Sequence, residues 1–287
     1  MNPWHCTGCY LLVNFPFHDK NRVNQITMLH LFKKPVVVDP TTAKNLQLTF
    51  QWALDNFDNP YFSSATVLVQ PTREYFPDRA DNETDMARAL CTRILRYSGL
   101  SHWPFKVVLP QAFSPEMPPL LRLNTQLRQP TNSSTPLKTS GISSTTLTSI
   151  DILEPTLDIS YASAMMKQPM DLVGSMSKSI TQHFLYQSQL ELPNGPESFD
   201  ATAEILSIFM GFGIMIANTA YTFRGGCGRC YDPRANRTAA LSEDEAIYCL
   251  ALFCHHKQIA NKQVTASLKG YLRGRFRKAR KQVAALV

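Results

Sequence analysis

The sequence has no GxxxxGK[ST] run, no GxGxxG turn and no GxSxG elbow. It therefore lacks the common phosphate cradle, the dinucleotide fingerprint and the exposed serine nucleophile of the α/β-hydrolases. Charged residues are sparse, at 18% of 287 positions, against 44% hydrophobic ones. That balance supplies a sizeable core and excludes a wholly disordered chain. No collagen-like or solenoid repeat runs through it. The opening residues MNPWHCTGCYLLVNFPFH show neither a basic start nor a clean apolar run of signal-peptide length. Seven cysteines, an odd number, do not form a closed disulfide framework. The expectation is a reducing, cytoplasmic compartment with mostly free thiols.

Positive charge is in excess, with 29 Lys and Arg against 22 Asp and Glu, a net +7. The excess is concentrated in KGYLRGRFRKARK, Lys269 to Lys281, which holds seven basic residues and no acidic one. Such a segment attracts phosphate, RNA, an acidic partner or an anionic membrane surface, unless it is simply a solvated terminal helix. No aromatic-rich RNA-recognition signature accompanies it, so no specific nucleic-acid motif is present.

Residues 205–223, ILSIFMGFGIMIANTAYTF, carry no charge. A membrane span needs about 20 apolar residues. Asn218, Thr219, Tyr221 and Thr222 make the second half polar, so a buried core helix is the first expectation and a membrane anchor the alternative. The glycines of Gly211-Phe212-Gly213 suit a helix–helix contact better than a phosphate.

Helical spacing places Leu46, Phe50, Ala53, Leu54 and Phe57 on one face of a helix over 41–57, which Thr41 or Thr42 can cap. A second helix covers 82–99. Short strands are expected at 65–70, 105–109 and 156–159. Further helices are expected at about 170–190, 201–223, 242–257 and 264–286, the third of these opened by a capping box, Ser242 with Glu245. Residues 1–27 read as an N-terminal extension, because Met28 resembles a natural start. Residues 28–128 read as a small α/β part. Residues 129–150, rich in Ser, Thr and Pro, read as a flexible loop with too little apolar surface to offset its ordering entropy. Residues 151–287 read as a mainly helical part.

The order PTREYFPDR, ALCTRILRYSGL, LVGSMSKSITQHFL, ATAEILSIFMGFGIMIANTAYTF and LSEDEAIYCLALF resembles an uncharacterised bacterial family of zincin-like, HExxH metallopeptidase-like proteins, over about 28–110 and 151–260. In that family the HExxH helix sets two histidines one turn apart, about 6 Å along the axis, so that both bind one zinc while the glutamate activates its water. The next helix gives an acidic ligand. Here the five positions read Lys178-Ser179-Ile180-Thr181-Gln182. An ammonium is no zinc ligand, and serine is a poor general base. Asp200 aligns with the family's acidic ligand and Glu204 with a further acid one turn on.

The resemblance thus implies an α+β fold with a zincin-like helical core and no zinc hydrolysis: a pseudoenzyme with a binding or regulatory role toward a partner still to be identified. Lys178 is expected to pair with Asp200 or Glu204 where a metal would sit. The alternatives are a metal-dependent hydrolase with a shifted site using His183 and Asp200 or Glu204, and a membrane-associated protein anchored by 205–223. Separately, Cys227 and Cys230 form a CxxC that, with Cys6 and Cys9, has the composition of a structural zinc site. Incidental free thiols and a redox pair are the other readings.

Overall fold

A computed structural model describes residues 36–57, 59–112, 117–121, 127–128, 155–220 and 236–286. The expected extension, the Ser/Thr/Pro-rich loop, Cys6, Cys9, Cys227 and Cys230 lie outside them.

The fold is α+β and mostly helical. Helix α1 (Pro40–Asn56) buries the expected apolar face, but its cap is Asp39 and not Thr41 or Thr42. The Asp39 carboxylate accepts from the Thr41 and Thr42 amides, 2.9 and 3.0 Å away, and satisfies two of the first-turn donors that a helix leaves open. A short helix α2 (Asn59–Ser64) follows. Helix α3 (Glu83–Ser98) starts at an Asn82 cap and stops at Gly99, whose left-handed φ of 75° is a common helix ending.

Strands β1 (Phe105–Val108) and β2 (Leu157–Ser160) form a two-stranded parallel sheet, with Phe105 opposite Leu157. The third expected strand, 65–70, joins no ladder. It is extended, but its partner is a broken helix: the Val69 amide donates to the Gly211 carbonyl at 2.9 Å.

Helix α4 (Pro169–Ser188) begins with proline at its first position and Asp171 in its first turn, both favoured there. The apolar run after it is not one regular helix. Helix α5 (Phe199–Ser207) passes into a wider π turn at Ile208–Phe212, and helix α6 (Gly213–Thr219) continues beyond it. The break is at Gly211, with φ 102° and ψ 0°.

Helix α7 (Glu243–His256) carries the expected capping box, with Ser242 and Glu245 bonding reciprocally. The last expected helix divides into α8 (Asn261–Thr265) and α9 (Gly270–Ala284).

Helix α7 packs against α1, α6 and α9, and α4 packs against α3, α5, α6 and β2. Residues 246–254 of α7 and 202–219 of the broken helix are all buried. The stretch Pro196–Thr219 is the one helical run among the described residues with the length and apolarity to cross a membrane, and 83% of its apolar window is buried inside the protein. Residues 221–223 lie outside the described part. Cys91, Cys249 and Cys254 are buried free thiols. Burial pushes the first and last up to about 12, and drives Cys249 higher still, with the Glu245 and Glu204 charges adding to it. Such thiols are inert at neutral pH.

Candidate functional site

Helix α4 is buried on most of its circumference, and its partly open stripe is polar: Ser175, Lys178, Ser179, Gln182 and Tyr186. These recur at helical spacing, so the first, second and fifth motif positions share one side. Across from them, α5 brings two carboxylates. Lys178 Nζ stands 3.6 Å from Asp200 Oδ1 and 3.6 Å from Glu204 Oε1. Gln182 Nε2 donates to Asp200 Oδ1 at 2.7 Å. The structure thus brings Lys178, Gln182, Asp200 and Glu204 into one cluster, and the expected pairing of cation with acid is present. The fourth motif position ties the helices together from the buried side, with Thr181 Oγ1 2.7 Å from the Ala203 carbonyl and 3.0 Å from Ser207 Oγ.

The two acids differ in setting. Asp200 is 61% exposed, whereas Glu204 is completely buried within an apolar stretch. An ionised carboxylate there needs hydrogen bonds and a counter-charge. It has both. Its Oε1 accepts the Ala240 amide at 2.8 Å, its Oε2 accepts the Leu241 amide at 3.1 Å, and the Arg237 guanidinium bonds Oε1 directly.

Arg237 is itself buried and fully engaged. Nε donates to Thr219 Oγ1 at 2.9 Å, Nη2 to the Ile216 carbonyl at 3.3 Å, and the backbone amide to Asp171 Oδ1 at 3.0 Å. Its side chain passes over Gly174, where a Cβ would stand 3.1 Å from Arg237 Cδ. Sequence reasoning missed Arg237 and Asp171. Arg237 precedes α7 in the irregular stretch 236–242, and only the physical need of a buried Glu204 for a cation pointed to such a partner.

His183 is placed elsewhere. Its Nε2 donates to the Asp158 carbonyl of β2 at 3.1 Å, and the ring is buried. One residue after Gln182, it is rotated about 100° around α4 and faces the sheet. The structure does not bring it to Asp200 or Glu204. No group of three His, Cys, Asp or Glu side chains with metal-binding geometry occurs among the described residues.

Burial pulls the His183 imidazole below its ordinary 6.5, against an opposing pull from the Asp158 carbonyl, and burial lowers His256 as well. As pH falls through about 6.5, the unfolded chain takes up these protons before the folded one does, so stability declines. The loss ends at the lower, folded-state values. The thermal midpoint of the wild type is expected to drop between pH 7.5 and 5.5, and that of His183→Gln to drop less. Equal drops in the two proteins would show that His183 is not held neutral.

Comparison with family models, with curated proteins and with solved structures gives no match.

Proposed function

We propose that this chain is a non-catalytic, zincin-like protein, a pseudoenzyme with a binding or regulatory role, in which an ion-pair cluster takes the place of a metal centre. The observation that supports this reading is the ammonium of Lys178 set between Asp200 and Glu204, with Gln182 one turn along α4 on the same Asp200 oxygen. Two positions one helical turn apart, facing acids on the next helix, is the layout that the HExxH resemblance implies. Here a monovalent cation balances carboxylates that zinc would otherwise hold, and it leaves no Lewis acid to polarise a carbonyl. The shifted-site hydrolase is less well supported, because His183 spends its Nε2 proton on β2. The burial of the long apolar helix within the fold speaks against its use as a membrane anchor, and a cytoplasmic location is proposed with the rest.

Zinc content after equilibration with excess zinc and desalting tests the reading. The background is Cys6→Ser/Cys9→Ser/Cys227→Ser/Cys230→Ser, which removes the two CxxC pairs. On it, the parent protein is expected to retain no stoichiometric zinc. Adding Lys178→His, Ser179→Glu and Gln182→His is expected to give one zinc per chain, lost again on Asp200→Ala. A parent that holds one zinc, released by Asp200→Ala or Glu204→Ala, would overturn the pseudoenzyme and restore the hydrolase. Zinc present in the wild type and absent from the serine background would instead assign a structural site to the cysteines.

A further inference from the structure

Helix α9 lies on α7 through Leu272, Phe276, Ala279 and Val283, all buried. That packing decides which of the basic residues are available. Arg280 turns inward, with Nη1 and Nη2 3.3 and 3.4 Å from the Ala251 and Ile259 carbonyls. Arg275 is neutralised by Glu243 and Asp244, at 3.0 and 3.2 Å. Four exposed cations remain: Arg273, Arg277, Lys278 and Lys281. Arg273 uses its Nε on the Leu268 carbonyl and keeps its outer nitrogens.

These four are not arranged as folding alone would arrange them. Arg273–Arg277 and Arg277–Lys281 are like-charge pairs at i,i+4, and Lys278–Lys281 is one at i,i+3. Each opposes the helix as much as an opposite pair would support it. Gly274 sits among them in a helix interior, where an added Cβ would meet nothing within 4 Å. Glycine there weakens the helix without serving any close contact among the described residues. Together they form a cationic row about 12 Å long, with Arg273, Arg277 and Lys281 about 6 Å apart along the axis at each four-residue step, beside a smooth patch at Gly270 and Gly274.

We infer that this face of α9 binds the phosphate backbone of nucleic acid without reading its sequence. The charges are complementary, guanidinium groups suit phosphate geometry, and the bare Gly274 lets a backbone approach closely. A protein partner would look for an apolar or aromatic anchor. The one exposed aromatic of the helix, Tyr271, is tied to Glu243 at 2.6 Å. A membrane would draw on an apolar stripe, and that stripe is buried against α7.

Fluorescence anisotropy of labelled mixed-sequence 20-mers with the full chain tests this. Binding is expected to weaken roughly 100-fold from 50 to 200 mM salt, the loss for about four phosphate contacts, and to be indifferent to sequence. Arg277→Gln/Lys278→Gln/Lys281→Gln, whose side chains make no hydrogen bond within the described residues, is expected to keep its circular dichroism and lose at least tenfold in affinity. Arg275→Gln, already paired, serves as the control and is expected to change affinity less than twofold. An oligonucleotide that binds the triple variant as well as the wild type would overturn the inference. So would no binding at 50 mM salt, or binding to phosphatidylserine-containing vesicles in place of the oligonucleotide, which would assign the face to lipid.

Discussion

Replacing Glu204 with alanine is expected to cost about 3–5 kcal/mol of stability, the usual range for breaking a buried ion pair by removing one partner. For a chain of this size that corresponds to a fall of roughly 6–20 °C in thermal midpoint. The reason lies in what is left behind. The Arg237 guanidinium is 1% exposed and would lose its counter-charge. The Ala240 and Leu241 amides would lose their acceptor. Among the described residues, Lys178 would keep only the exposed Asp200. Asp200→Ala is the contrasting case: its carboxylate faces solvent, and exposed pairs contribute about 0–1 kcal/mol. The expected order is therefore Glu204→Ala far worse than Asp200→Ala, with Arg237→Ala close to the first. Two adjacent acids, one turn apart on α5, would separate into a structural and a site-facing member. Equal and small effects at Glu204 and Asp200 would mean that water replaces the lost carboxylate and that the network does not hold the fold.

How much of this was legible in the sequence depends on how local the determinant is. Ser242 with Glu245, and Asn82 with Gly99, fix helix ends through local groups, so their reading needs no tertiary information. The α4 cluster was legible only through order and resemblance: Lys178 and Gln182 lie one turn apart on one side in any helix, but their meeting with Asp200 depends on how α5 packs. Arg237 was out of reach, because its role is set by the distant Glu204, Asp171 and Thr219. Nor could periodicity locate the break in the long apolar run. A helix buried all round has no polar face against which a change of phase can be seen. For a related reason residues 65–70 read as a strand. Their alternation is that of extended chain, and which backbone they bond to is a tertiary matter.

Gly211→Ala should be the most damaging glycine-to-alanine change among the described residues. A Cβ there would stand 2.1 Å from the Val67 carbonyl oxygen, at a φ of +102° that side chains rarely adopt. Neither conflict can relax cheaply. The Val67 carbonyl belongs to a segment pinned by the Val69–Gly211 hydrogen bond and by the buried Leu68 and Val69 side chains. Backbone strain alone costs on the order of 1–3 kcal/mol, and displacing the segment adds its lost packing, so a total of about 4 kcal/mol or more is expected. Two other glycines set the scale. At Gly213 the added carbon would meet Leu250 Cδ1 at 2.8 Å, the end of a side chain that can rotate. The ordinary overpacking cost of about 1–3 kcal/mol applies there. At Gly274 nothing lies within 4 Å, and alanine should stabilise the helix by roughly 0.5–1 kcal/mol. Thermal midpoints should therefore rank Gly274→Ala highest, then wild type, then Gly213→Ala, with Gly211→Ala last or absent from the soluble fraction. If Gly211→Ala melted with Gly213→Ala, the contact between the 65–70 segment and the broken helix would not be what holds the break open. The central apolar run would then be free to straighten, and the Ser207–Gly213 region, which follows Glu204 in the same helix, would no longer be a fixed support for the charged cluster.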